Sequence, residues 1–326
     1  SAFICILIIE RGTKAMNTHN ISSQELSWVN LLRTHAEEHP AITAGLLSAS
    51  LVVLFLVGQS IVHVTQGPDA QFLRFALLGG LAGFAATAVG ALPALVFRSI
   101  PRSLEDGMLG FAAGMMLAAA AFSLILPGIE AGTELMDNAF QGGLVVVFGL
   151  IMGAFLMLGL DQFTPHEHVR TGPCGPGYER CNRAWLFVFA IALHNLPEGM
   201  AIGVSFAGGD LTVGIPLATA IALQDIPEGL AVALTLRAAG FSNILATGVA
   251  AASGLLEPIG VLIGLGLGGG LMFAYPMGLG LAAGAMIFVV SHEVIPETHR
   301  NGHQTVATMG LMIGFALMMI LDTSLG

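Results

Sequence analysis

The chain has 326 residues, of which 55% are hydrophobic and 10% charged, where a soluble domain carries about 25% charged residues. With a mean hydropathy of +0.83, this composition excludes an ordinary soluble globule and predicts an all-α integral membrane protein. A net charge of −10 argues against nucleic acid as a partner, and three Cys, at positions 5, 174 and 181, imply no disulfide framework.

Residues 1–15 contain an apolar run from Ile4 to Ile9, without a basic stretch before it or a clear small-residue cleavage site. This segment reads as an upstream extension or a misplaced start. Together with the polar residues that follow, 1–40 forms an N-terminal extension and cytoplasmic lead-in ahead of a membrane domain over 41–326. Apolar runs of bilayer-spanning length predict nine helices, near 42–64, 75–97, 107–127, 143–160, 184–207, 211–236, 244–268, 271–291 and 304–322. The 43 Gly cluster in these spans, as in Gly264-Leu265-Gly266-Leu267-Gly268. Small residues let helices approach closely in lipid, and such faces permit a homodimer without requiring one.

Short loops on one side, with the lead-in, hold Arg33, Arg98, Arg102, Arg170, Arg180, Arg183, Arg237 and Arg300, whereas the opposite side holds Arg74 alone. The arginine-rich side is therefore cytoplasmic. Nine spans then leave the N-terminus inside and the C-terminus outside, in the plasma (inner) membrane.

Within the fifth and sixth spans lie two near-copies of one pattern, His194-Asn195-Leu196-Pro197-Glu198-Gly199 and Gln224-Asp225-Ile226-Pro227-Glu228-Gly229. Ionisable residues at that depth cost about 2.5–3.5 kcal/mol each on insertion scales. From Ala184 to Thr235 there is no Lys or Arg, and none between Arg237 and Arg300. Glu198, Asp225, Glu228 and the mid-span Glu257 are thus either protonated or paired with a cation from outside the chain. With His194 and Asn195 beside the acids, a divalent metal ion is the better reading. His194, Asn195 and Glu198 share a helix face through i,i+3 and i,i+4 spacing, as do Gln224, Asp225 and Glu228. The two spans run antiparallel, so the copies face each other across the membrane midplane. Pro197 and Pro227 each free the carbonyl four residues earlier, which predicts kinked helices with exposed oxygens. Imidazole and carboxylate donors suit Zn²⁺ and also Fe²⁺, Mn²⁺ or Cd²⁺, with enough ligands for two ions. A polar packing network without metal is the bland alternative, but four acids without a basic partner bind helices poorly. Met116, taken alone, reads as packing.

These residues resemble the ZIP (Zrt- and Irt-like protein) family of divalent-metal transporters, in its prokaryotic branch. The segments HNLPEGMAIG, QDIPEGLAVAL and SHEVIPETHRNGH (291–303) carry the likeness, which extends from about residue 40 to the C-terminus. The resemblance implies eight core helices arranged three, two and three with inverted symmetry, the first span here being an extra one. It also implies a binuclear site. Met116, His194, Glu198 and Glu228 would hold the first metal, and Asn195, Asp225 and Glu257 the second. Glu198 and Glu228 would bridge the two, with Gln224 nearby.

Further pathway candidates follow the predicted topology. Asp106 opens the third span from the cytoplasm, and His292, Glu293, Glu297, His299 and His303 sit at the cytoplasmic end of the eighth span, a route for a released cation. Asp322 closes the last span outside, with little claim to a pathway role. Ser123 is a small polar pathway candidate within the third span, though its hydroxyl is more readily expected to bond its own backbone. The loop 161–183 holds Asp161, His166, Glu167, His168, Cys174 and Cys181; the resemblance makes it a place to capture or sense metal. His35, His39 and His63 read as ordinary.

The function expected is a carrier, not an enzyme, importing zinc or a similar divalent ion by alternating access. Two other readings remain: an intramembrane metallohydrolase and a proton-conducting scaffold without metal. For the hydrolase, His292-Glu293-Val294-Ile295-Pro296 has the first two residues of H-E-x-x-H but ends in Pro.

Overall fold

The structure is a computed structural model. It describes residues 33–34, 36–41, 43–47, 50–51, 54, 70–164, 166–168, 172–174, 183–268 and 273–325. For 70, 166–168, 172–174, 183–187, 189–191 and 268 it describes the backbone alone. Most of the predicted 42–64 span, the first 32 residues, His35, His63 and Cys181 lie outside the described residues.

From Ala70 onward, eight long helical rods follow one another among the described residues. They are α1 (Ala70–Ala91), α2 (Arg102–Met136), α3 (Ala139–Phe163), α4 (Arg183–Ala207), α5 (Leu211–Ala238), α6 (Asn243–Leu267), α7 (Ala274–Thr298) and α8 (Gln304–Leu325). Among the described residues, seven helices are long and apolar enough to cross a membrane; α4, at 25 residues, is the remaining rod. The rods stop where local chemistry demands it. Asp137 adopts a left-handed conformation at φ 50°, and Asn138 then caps α3 by accepting from the Gln141 N–H. Asp210 caps α5 through the Thr212 N–H just after Gly209, whose φ of 76° suits a residue without Cβ. Ser242 caps α6 through the Leu245 N–H.

The prolines of the two motifs do not end their helices. α4 and α5 remain continuous through Pro197 and Pro227, because the flanking backbone bonds outlast the loss of a single donor. The interruptions fall elsewhere. α6 breaks at Gly254-Leu255, so Glu257 and Pro258 stand in the first turn of its second half. α2 and α7 each contain a π-turn, Ala120–Ile125 and Val290–Val294, and each turn ends two residues before a proline, Pro127 or Pro296. The wider i→i+5 pattern carries the backbone past a residue that cannot donate.

Outside the rods, β1 (His166–His168) and β2 (Gly172–Cys174) form a short antiparallel ribbon with His166 opposite Cys174. The loop therefore begins later than expected, since Asp161 belongs to the last turn of α3 and is buried.

Glycines set the packing. A Cβ at Gly110 or Gly114 would overlap backbone carbonyls of α8, and one at Gly310 or Gly314 those of α2. The same reciprocity joins α3 to α7 through Gly149 and Gly284, α4 to α6 through Gly199 and Gly264, and α1 to α5 through Gly90 and Gly229. These glycine faces are occupied by helices of the same chain.

Candidate metal centre

The twin patterns meet where α4 and α5 cross, with α6 closing the site. His194, Asn195, Glu198, Gln224, Asp225, Glu228 and Glu257 are all buried, at 5% exposure or less. One carboxylate oxygen from each of Glu198, Asp225 and Glu228 lies within 4.8 Å of the others. His194 Nδ1 stands 3.8 Å from Glu228 Oε1, and Gln224 Nε2 donates to Glu198 Oε1 at 2.5 Å. Glu257 Oε2 and Asp225 Oδ2 both border the space above Gly83, while Thr87 Oγ1 donates to Glu257 Oε1 at 3.2 Å.

The remaining donor atoms are left over. Both ring nitrogens of His194, Glu198 Oε2, Gln224 Oε1 and Glu228 Oε1 are buried and have no hydrogen-bond partner, while the buried Asp225 and Glu257 carboxyls stand within hydrogen-bonding reach of each other. Native proteins satisfy nearly all such atoms, so a concentration of exceptions marks a ligand site. Two like charges about 5 Å apart repel by about 3 kcal/mol even at an effective dielectric near 20. The polypeptide places no Lys or Arg on the facing segments of α4, α5 or α6 to offset this. Imidazole nitrogen and carboxylate oxygen are ligands for a borderline divalent cation.

Met116 is buried in the apolar cluster that includes Ile202, Leu217 and Ile221 on the same two central helices. The other candidates form separate groups. Asp106 is fully buried and accepts from Asn301 Nδ2 at 2.8 Å, with His303 Nδ1 2.9 Å from its second oxygen. Asp161, His292 and Glu293 bring one ligand atom each within 4.8 Å, in and beside the α7 π-turn. Ser123, expected to bond its own backbone, instead donates to Asp322 Oδ1 at 2.7 Å, because the α2 π-turn carries it to the end of α8. His166 and His168 sit on β1, and their side chains lie outside the description. Sequence reasoning missed Thr87, Gly83 and Asn301. A lone threonine in an apolar span carries no local sign of its distant partner.

Helical rods of membrane-spanning length around a buried, acid-rich cluster define an integral membrane protein with an internal candidate cation site. The chain belongs to the ZIP family. Its residues 176–322 match the model of the family described as ZIP zinc transporter. It is similar to the zinc transporter ZIPB of Bordetella bronchiseptica, at 61% identity over 89% of this chain and 94% of that protein. The zinc transporter GufA of Myxococcus xanthus is 42% identical over 77% of this chain and 98% of its own length. The zinc transporter ZupT of Corynebacterium glutamicum is 39% identical over 74% and 96%.

Proposed function

We propose that this chain imports a divalent metal cation, zinc foremost, into the cytoplasm through a two-ion site at the membrane midplane, by alternating access. The observation that carries the reading is the set of buried, unpartnered carboxylate and imidazole atoms without a protein cation. The bacterial relatives, zinc transporters by name, agree with it. His194, Glu198 and Glu228, with the Met116 thioether, would hold one ion. Asn195, Asp225 and Glu257 would hold the other, Glu198 and Glu228 bridging. Cd²⁺, Fe²⁺ and Mn²⁺ satisfy the same donors.

Helix pairing supports the three, two and three reading within a nine-helix chain. Exchanging the first and last triplets in the same order but opposite orientation, together with α4 and α5, turns the α1–α5 pair into α6–α4 and the α2–α8 pair into α7–α3, and all four pairs are glycine-cemented. The π-turns of α2 and α7 exchange likewise. Backbone-on-backbone glycine contacts pair α1 with α5 and α4 with α6, and Gly80 and Gly254 bring α1 against α6 to make one group; Gly132 and Gly142 join the α2–α8 and α3–α7 pairs into another. Between the groups, Gly208 meets the Tyr275 side chain and Gly278 meets Val204 Cγ2 at 2.8 Å, with the Leu267 carbonyl next at 3.3 Å. A side-chain interface slides more readily than interlocked backbone, so the two groups are the moving parts. Ser123 and Asp322 would flank the outer mouth. Asp161, His292 and Glu293, then Asp106 and His303, would receive the ion on the cytoplasmic side. His166 and His168 would capture or sense it there. The N-terminus lies in the cytoplasm and the C-terminus outside, across the plasma membrane. Any homodimer uses surfaces other than the glycine faces already occupied within the chain.

Zinc uptake into proteoliposomes tests the reading. Glu198→Ala and Asp225→Ala each reduce uptake to the protein-free background while insertion persists, and unaltered uptake in both variants would refute it.

A further inference from the structure

The second motif and Glu257 are backed by a helix that carries no acid and no histidine, α1. Its face between Gly80 and Gly90 is wedged against both. A Cβ at Gly90 would overlap the Ile226 carbonyl, and one at Gly229 would overlap the Thr87 carbonyl. On the α6 side, a Cβ at Gly80 would stand 2.6 Å from Val261 Cγ2 and 3.3 Å from Pro258 Cα. Gly254, at the α6 break, would meet Thr87 Cβ at 3.0 Å. The backbone of α1 is thereby fixed relative to Asp225 and Glu257 with little slack.

Two residues of that face meet the carboxylates. At Gly83 a Cβ would overlap Glu257 Oε2 and lie 2.9 Å from Asp225 Oδ2, so the missing methyl is the space into which both oxygens project. One turn on, the buried Thr87 hydroxyl lies 3.2 Å from Glu257 Oε1 and 3.2 Å from the Gly83 carbonyl. One proton serves two acceptors. A threonine in a helix bonds its i−4 carbonyl by default, so Thr87 can hold Glu257 or release it without leaving its own hydroxyl unsatisfied.

We infer that Thr87 and Gly83 of α1 are positioning residues for the second metal subsite, aiming Glu257 and admitting it beside Asp225. This rests on the two-ion reading above and adds to it a wall from a fourth helix. Hydrogen-bond partners of metal-ligating carboxylates typically change metal affinity by about 10- to 100-fold when removed, whereas a threonine that only packs is replaced by valine at little cost in binding.

The test is a zinc titration of the purified full-length chain in detergent, reading stoichiometry and both dissociation constants, with thermal unfolding as the control for folding. The native chain binds two ions. Thr87→Val weakens the second by about tenfold or more and leaves the first within about threefold; Thr87→Ser restores it. Gly83→Ala abolishes the second ion alone. In a Glu257→Gln background Thr87→Val has no further effect, since the two act through one contact. Equal second-site affinity in Thr87→Val and the native chain overturns the assignment. So does equal weakening in Thr87→Ser and Thr87→Val, which marks a packing role. A native chain that binds only one ion removes the two-ion reading itself, and this inference with it.

Discussion

At the scale of single residues, the site is defined by what its atoms lack. Gln224 donates a hydrogen bond to Glu198 Oε1. Its removal by Gln224→Ala is expected to weaken zinc binding by about tenfold with helicity unchanged, as read by titration calorimetry and circular dichroism. Ser123→Ala breaks the link to Asp322 and is expected to lower zinc uptake without altering equilibrium affinity at the central site, which separates a role at the mouth from one in coordination. The acids themselves were legible in the sequence, because ionisable side chains in bilayer-length apolar runs stand out and the missing arginines are visible by inspection. Thr87 and Gly83 were not. Their partner Glu257 is 170 positions away from Thr87, and hydroxyls or glycines in apolar helices have abundant bland uses.

At the scale of elements, close glycine packing decides which helices are welded. Gly114→Ala and Gly199→Ala would each push a methyl into a backbone carbonyl, of Leu311 and Glu257 respectively. Overpacking of this kind costs about 1–3 kcal/mol, so both should lower the unfolding temperature in detergent; Gly248→Ala, where a Cβ meets nothing within 4 Å, should not. Helix order was readable from apolar length, and α7 and α8 begin close to where expected. Their extents were less so. Hydropathy sees only the lipid-facing core, and α2 runs to 35 residues where a shorter span was expected. The π-turns and the α6 break were invisible because they follow from how a proline or glycine is accommodated by neighbouring helices. Pro197 and Pro227 look like breakers locally, yet their helices are held on several sides and stay whole.

At the scale of the whole molecule, two glycine-cemented groups of four helices meet along an interface led by side chains, and the acids of the central site all lie in one of them, on α4, α5 and α6. A disulfide across that interface should arrest transport, whereas one within a group should not. With the native cysteines replaced by serine, oxidation of the pair Val204→Cys and Gly278→Cys is expected to stop zinc uptake, reversibly on reduction. The pair Gly79→Cys and Ala218→Cys joins α1 to α5 within one group and is expected to leave uptake largely intact. Arrest by both pairs, or by neither, would contradict the division into two bodies.

The most direct measurement is an anomalous-difference map recorded at the zinc absorption edge from crystals of the full chain grown with zinc. Two adjacent peaks are expected among Glu198, Asp225, Glu228 and Glu257, with His194 on the outer flank of one. A map whose zinc peaks all lie elsewhere, with those four carboxylates free of metal, would contradict the account.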